Sequence, residues 1–346
     1  MEMRPLGTTG LNVSALCLGT MTWGEQNTEA EGFEQMDYAL EQGINFFDTA
    51  EMYSVPPREA TYGATETIIG RWFQARGTRD KVILATKVAG PSLNMTYMRG
   101  EPNRFNAKHI RQAVEGSLKR LQTDYIDLYQ LHWPDRNVNT FGRLYFEHNA
   151  DEQFTSPEET LSVLDELVKE GKIRHVGLSN ETPWGAMKFL ELANQGKGPR
   201  MASIQNPYSL LNRSYEVGLA EVSMRENIGL LPYAPIGAGA LTGKYLDGAR
   251  PEGARFSLFP SNTRYFTPPA ESAIKAYIDL AKQHEIDPAH MALAWVTSRP
   301  FVTSSIFGAT SMEQLKHNIA SKDIVLSEDL LNAIEAIGQE YTIPCP

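Results

Sequence analysis

Short apolar runs alternate along the chain with longer segments whose apolar residues recur every three or four positions. "ALCLGT" (15–20), "INFFDTA" (44–50), "VILATKV" (82–88) and "YIDLYQLH" (125–132) read as buried strands. So do "HVGLSN" (175–180), "ASIQNPYS" (202–209), "GLLPYAPI" (229–236) and "VTSSIFGA" (302–309). Residues 29–42, 65–76 and 107–121 carry the period of a helix. In the last of these Ile110, Ala113, Val114, Ser117, Leu118 and Leu121 fall close to one face. "SPEETLSVLDELVKEG" adds punctuation: Ser156 is an N-cap, Pro157 sits at the first helical position, Glu159 at the third, and Gly171 ends the run. Thr182-Pro183 starts another helix. A helix is expected between each pair of strands. A last one, over roughly 327–339, has no strand after it.

Eight strand–helix repeats predict an α/β fold, a parallel (β/α)8 TIM barrel. A doubly wound sheet would want a glycine-rich turn after its first strand, and "MTWGEQ" is no such turn. "PLGTTGLNVSA" predicts an N-terminal β-hairpin turning at "GTTG" that would close the barrel floor. No Pro-, Gly- or Ser-rich linker interrupts residues 1–346, so a single domain is expected. The connections 51–64, 89–105, 133–155 and about 237–269 are long for a compact domain. In a barrel, loops that follow strands build the site.

Composition narrows the classes. With 42% apolar residues the chain can fill a large core, and a net charge of −10 argues against nucleic acid or an anionic membrane as main partner. No apolar run approaches the length of a membrane span, and "MEMRPLGTTGLNVS" has no signal pattern. Cys17 and Cys345 make no disulfide framework. A cytoplasmic protein is expected; oligomeric state leaves no mark in the sequence.

The strand ends carry the chemistry. Neighbouring strands lie about 5 Å apart, so consecutive strands would bring together Asp48 with the following Tyr53, Lys87 and His132. Each has an ordinary reading: Asp48 and Lys87 as a structural ion pair, His132 as a rim histidine, Tyr53 as a loop aromatic. Together they suit proton transfer. A phenol titrates near about 10 and a nearby ammonium lowers that value. Asp48 would keep Lys87 charged, and His132 could donate to a carbonyl oxygen. Such a site protonates an oxygen while its carbon receives hydride, so a cofactor should lie nearby. Trp23, Met52, Trp133 and Tyr208 either line a substrate pocket or pack the rim. Seven histidines show no HExxH or paired spacing, so no metal is expected. "GAGALTGKY" is no P-loop, with Ala238 and Tyr245 in the places of the required Gly and Ser or Thr.

"LGTMTWG" (18–24), "DTAEMY" (48–53), "ATKV" (85–88), "LHWPD" (131–135), "GLSN" (177–180), "IQNPYSLLNR" (204–213), "YAPIGAGALTGKY" (233–245) and "GATSMEQLKHNI" (308–319) complete the picture. Over essentially its whole length the chain resembles the aldo-keto reductases. Through "PPREATYGATE" (56–66) it resembles their bacterial Tas-type branch in particular. The resemblance implies an NADPH-dependent reductase of small aldehydes or ketones, with Asp48, Tyr53, Lys87 and His132 as catalytic tetrad and Tyr53 as general acid. It places Ser179, Asn180 and Gln205 on the nicotinamide carboxamide and Tyr233 against the nicotinamide ring. The loop from Pro235 through Gly237, Gly239 and Leu241 to Lys244 would cover the pyrophosphate, and Arg255 and Gln314 would lie by the adenosine 2′-phosphate. Gly19, Thr20, Gly308, Thr310 and Asn318 complete the implied cofactor site. His317 stands where the family often has Glu. Two other readings stay open: a Schiff-base lyase working through Lys87, and a regulatory protein that holds cofactor with little turnover.

Overall fold

The computed structural model describes residues 1–261 and 263–346. A hairpin opens the chain: β1 (Met3–Pro5) pairs antiparallel with β2 (Asn12–Ser14). The parallel strands follow as β3 (Leu16–Gly19), β4 (Phe46–Asp48), β5 (Ile83–Val88), β6 (Ile126–Leu131), β7 (Ile173–Ser179), β8 (Met201–Gln205), β9 (Gly229–Leu230) and β10 (Ser305–Phe307). The helices are α1 (Glu29–Glu41), α2 (Ala64–Arg76), α3 (Ala107–Leu121), α4 (Pro157–Lys169), α5 (Pro183–Asn194), α6 (Leu219–Glu226), α7 (Arg255–Leu258), α8 (Pro268–Gln283), α9 (Pro288–Thr297), α10 (Met312–Ala320) and α11 (Glu328–Glu340).

Caps set several helix starts where the pattern placed them. Ser156 Oγ accepts from Glu159 N at 3.1 Å at the head of α4, and Asn106 Oδ1 accepts from His109 N at 2.9 Å at the head of α3. The expected single helix before the last strand is instead three, α7 to α9, because the loop after β9 builds its own short helix.

The eight parallel strands run in the order β10-β3-β4-β5-β6-β7-β8-β9. β9 and β10 then close the ring through Leu230 N to Phe301 O (2.8 Å), Thr303 N to Leu230 O (2.8 Å) and Ile306 N to Pro232 O (2.9 Å). The run 229–236 forms only a two-residue strand. Pro232 has no N–H to give, so the ladder continues as separate bonds, Leu231 N to Ile204 O and Tyr233 N to Asn206 O.

Strand alternation divides the bore into two storeys. At the bottom, Cys17, Phe46, Ala85, Leu128, Ala202, Leu231 and Ile306 meet Leu6 and Val13 of the hairpin, forming an apolar plug. Gly7, with φ +53°, runs so close beneath that a Cβ there would lie 2.5 Å from Ala202 O. Two residues further along β4, β5 and β6 the bore turns polar, with Asp48 after Phe46, Lys87 after Ala85 and Gln130 after Leu128. Among the described residues no helix is long and apolar enough to cross a membrane.

Candidate active site

Strand register brings the polar storey together. Asp48 is level with Gly19 on one side and Ala85 on the other, and Lys87 is level with Gln130. Lys87 Nζ donates to Asp48 Oδ2 at 2.6 Å and to Thr49 O at 2.8 Å, and lies 3.4 Å from Tyr53 Oη. Asp48 Oδ1 also accepts from Gln205 Nε2 (2.8 Å) and Gln130 Nε2 (3.1 Å). The carboxylate is therefore held by three donors. The His132 ring meets the Tyr53 ring edge-on with centroids 5.7 Å apart. The four strand-end residues expected together are together.

Burial decides their charge states. It is the largest influence on the Tyr53 phenol and pushes it above its ordinary value; Lys87 pulls down and Asp48 pushes up, and the net direction is up. The expectation that the ammonium alone would bring the phenol down is thereby corrected: the Lys87 pull is real but smaller than desolvation. For Lys87 burial is again the largest influence, acting downward. Asp48 and Tyr53 together outweigh it, and the ammonium ends above its ordinary value. His132 is driven well below its ordinary value by burial and by the Lys87 charge, so its ring is neutral. Its Nδ1 is buried with no partner.

A cavity of about 1700 Å³ opens above this corner. Asp48, Tyr53, His132, Met52 and Trp133 line it, and Lys87 stands just behind Tyr53. Beside them in the lining lie Ser179, Asn180, Gln205 and Tyr233. The Asn180 amide is engaged at both ends. Its Oδ1 accepts from Tyr233 Oη at 2.6 Å, and its Nδ2 donates to His132 O at 2.8 Å. Asn180 takes φ +52°, a left-handed conformation that asparagine tolerates. Further round, Gly19, Thr20, Pro235, Gly239, Lys244, Arg255, Gly308, Thr310, Gln314, His317 and Asn318 also face the cavity. Gly237, Ala238 and Gly239 take φ +59°, +53° and +93° in succession. Such a run of left-handed residues curls the backbone, and the strained Ala238 is the kind of outlier found at ligand sites.

Four assigned residues do not reach the cavity. Trp23 is fully buried, its Nε1 bonded to Gln35 Oε1 at 3.1 Å, and belongs to the layer between barrel and α1. Tyr208 stacks on Trp295 of α9 at 5.4 Å and gives its hydroxyl to Glu216 Oε1 at 2.5 Å. Both aromatics turn into the core, where burying a large ring is worth roughly 2–3 kcal/mol. Gly237 and Leu241 are likewise buried beneath their loop rather than exposed on its cavity side. Arg255 heads α7 and lines the same cavity as Gln314. Away from the tetrad, Asp287, His290 and His317 bring ligating atoms within 4.8 Å of one another, since an i, i+3 pair at the start of α9 faces His317 of α10.

The sequence reading passed over Glu51 and Arg99. Glu51 is fully buried directly behind the tyrosine loop. It accepts from Ala89 N (2.7 Å), from Arg99 Nη2 on both oxygens (2.7 and 2.8 Å) and from Tyr62 Oη (3.2 Å). The pair clamps loop 51–64 to loop 89–105. An acid between Ala50 and Met52, just past the end of a buried strand, was the available signal.

A model of the Aldo/keto reductase family matches residues 15–339. The chain belongs to that family. It is 52% identical over 346 residues to Protein tas of Escherichia coli (strain K12), covering all of both chains. It is 34% identical over 341 residues to the uncharacterized oxidoreductase YrpG of Bacillus subtilis (strain 168), covering 97% of this chain and 96% of the relative. It is 30% identical over 328 residues to the L-glyceraldehyde 3-phosphate reductase of Escherichia coli (strain K12), covering 92% and 87%. As an aldo/keto reductase this protein is an oxidoreductase of carbonyl compounds, and members of the family generally use nicotinamide cofactors.

Proposed function

We propose that this chain reduces aldehydes or ketones to alcohols with NADPH, Tyr53 giving the proton. The observation that carries the reading is the Tyr53–Lys87–Asp48 chain, with a neutral His132 beside it, at the foot of one large cavity. The cavity suits a phosphorylated dinucleotide. Lys244 is half-buried there and held below its ordinary value by burial alone, with no carboxylate acting on it. Beside it the backbone curls through Gly237, Ala238 and Gly239, and a curled run of this kind cradles phosphate. Gln314 Oε1 accepts from Thr310 N (3.0 Å) and Oγ1 (3.1 Å), leaving Nε2 to donate to a 2′-phosphate. Thr310, Gln314 and Asn318 would hold the adenosine end, and Tyr233 would lie against the nicotinamide.

NADPH, when bound, supplies the hydride to the carbonyl carbon. The protein's own residues manage the oxygen. Burial keeps the Tyr53 proton in place until negative charge develops on the carbonyl oxygen, and the proton then passes to it. Lys87, 3.4 Å away, stabilises the tyrosinate left behind. Asp48, with Gln130 and Gln205 on its other oxygen, fixes Lys87. His132, being neutral, can donate one ring N–H to the carbonyl oxygen. A Schiff-base route through Lys87 is disfavoured, because an ammonium with three partners and a raised pKa has no free lone pair. Cys17 and Cys345 are both unpaired and buried, which fits a reducing cytoplasm.

A carbonyl panel with NADPH consumption followed optically tests the reading. Turnover of several aldehydes is expected, with borohydride trapping no lysine adduct. No turnover on any carbonyl, despite tight NADPH binding, would instead favour a cofactor-holding regulatory protein. NADPH should bind at least about tenfold more tightly than NADH, roughly 1.4 kcal/mol. Gln314→Ala should narrow that ratio; equal affinities in the wild type would defeat the cofactor assignment.

A further inference from the structure

α9 and α10 pack together beside the cavity, which Ala289 of the one and His317 of the other both line. Asp287 caps α9: its Oδ1 accepts from Ala289 N (2.9 Å) and His290 N (3.0 Å). His290 follows on that first turn, and His317 comes from the last turn of α10. One ligating atom from each of the three lies within 4.8 Å of the other two. The two imidazoles stack with ring centroids 4.1 Å apart. No short motif announces the trio, because His317 stands 27 residues after His290 and reaches it only through helix packing.

The hydrogen bonds fix where the lone pairs are. His290 Nε2 lies 2.7 Å from His317 O. A carbonyl only accepts, so Nε2 carries the proton and Nδ1 the lone pair. Nδ1 is the ring nitrogen nearer the backbone, and the backbone N–H of His290 is bonded to Asp287. His317 Nε2 donates to Asp287 Oδ1 at 3.0 Å. Burial pushes the Asp287 carboxyl up, but the His290 amide and His317 outweigh it, and the group ends below its ordinary value. Two acceptors are left over: among the described residues neither His290 Nδ1 nor Asp287 Oδ2 makes a hydrogen bond. A histidine that ligates a metal ordinarily donates its other N–H to a carbonyl or carboxylate, which fixes the ring. His290 is already held in that way. The side chains of Asp287 and His317 are 40% and 43% exposed, so a hydrated ion can reach them and they can turn to meet it.

We propose that Asp287, His290 and His317 form a binding site for a divalent ion of the zinc class, ligated by Asp287 Oδ2, His290 Nδ1 and His317 Nε2. Two imidazoles and a carboxylate are a zinc donor set, with the fourth position left to water. Imidazole selects against magnesium and calcium, which take oxygen ligands. Bonds of about 2.0–2.2 Å would draw the three atoms closer than they now stand. The proton on His317 Nε2 leaves to solvent as the ion enters. Asp287 Oδ1 keeps the cap of α9, and His290 Nε2 keeps its bond to His317 O. The ion would clasp α9 to α10, the helix that carries Gln314 and Asn318.

The test uses the full chain, stripped with EDTA, and Zn2+ alone as the probe, in competition with a chromophoric chelator. The wild type should take up one equivalent at micromolar affinity or better, and millimolar Mg2+ should not displace it. His290→Gln and Asp287→Asn should each weaken uptake at least about tenfold. Asparagine caps a helix as well as aspartate does, so the second variant removes the charge and keeps the fold. Zn2+ should raise the melting temperature of the wild type and leave that of both variants unmoved. Co2+ should show the visible bands of a four-coordinate ion in the wild type alone. Zinc held as tightly by both variants as by the wild type would be an adventitious ion only, on another histidine or a cysteine, and overturns the assignment. Wild-type uptake no tighter than millimolar overturns it too. Displacement by Mg2+ would mean a plain carboxylate site and would end the zinc-class reading.

Discussion

Two buried ion pairs stand one behind the other at the top of the barrel. Lys87–Asp48 spans 2.6 Å and Arg99–Glu51 spans 2.7 Å, and all four side chains are almost wholly shielded from solvent. Their surroundings differ. Asp48 and Tyr53 reach the cavity, so the first pair meets whatever enters. The second pair is sealed behind the tyrosine loop, bonded to Ala89 N, Tyr62, Asn103, Met98 Sδ and the His109 carbonyl at the start of α3. The same chemistry thus serves two ends. A lysine, a compact charge on a flexible stem, tunes a phenol; an arginine, with its rigid fork, pins two loops. Buried ion pairs are weak evidence for stability in themselves, because desolvation offsets their attraction. What distinguishes these two is what each one holds still.

Removing the proton donor should produce the largest effect. Tyr53→Phe keeps the ring and is expected to lower kcat by about 10² to 10⁴, the range for losing a general acid, while NADPH still binds. Lys87→Met should do similar damage, and the double variant should be little worse than either alone, because both act through one proton transfer. Single-turnover reduction by the three variants measures this; multiplicative losses would break the unit apart.

The second pair should answer in stability instead. Arg99→Met strands a fully buried carboxylate and is expected to cost about 3–5 kcal/mol in urea unfolding. Lys87→Met should cost less, because Asp48 keeps two amide donors and lies at the cavity, where water can reach it. A larger stability loss for Lys87→Met than for Arg99→Met would erase the distinction between the pairs.

The smallest effect concerns His132. Its folded-state pKa is depressed by burial and by Lys87, while the unfolded chain titrates at about 6.5. The stability that depends on a neutral ring is therefore whole above about 6.5 and is lost as pH falls below it, by at most about 1.4 kcal/mol per pH unit. Melting curves from neutral to mildly acid pH should fall more steeply for the wild type than for His132→Gln. Parallel curves would mean that burial and Lys87 together do not lower this histidine's pKa.

Much of this was legible in the residues. Every strand of the barrel was found from apolar runs, and α3 from its spacing, because both record which side of an element meets the core. The convergence of Asp48, Tyr53, Lys87 and His132 was legible because strand ends share one rim. Direction was not. Trp23 and Tyr208 sit beside the site in sequence and turn away from it in space, because the core offers a flat aromatic more buried area than the rim does. Nor was the balance of burial against charge at Tyr53, since desolvation depends on neighbours from several loops.

The plug of Leu6 under the barrel has a kinetic meaning. A bore sealed at one end is a vestibule with a single door, so cofactor and carbonyl must queue. If the cofactor seats against Tyr233 as proposed, with the carbonyl compound nearer the door, it has to arrive first and leave last. Product inhibition should show it: NADP+ competing directly with NADPH, and the alcohol competing with neither partner alone. A random-order pattern would mean that the covering loop opens a second way in.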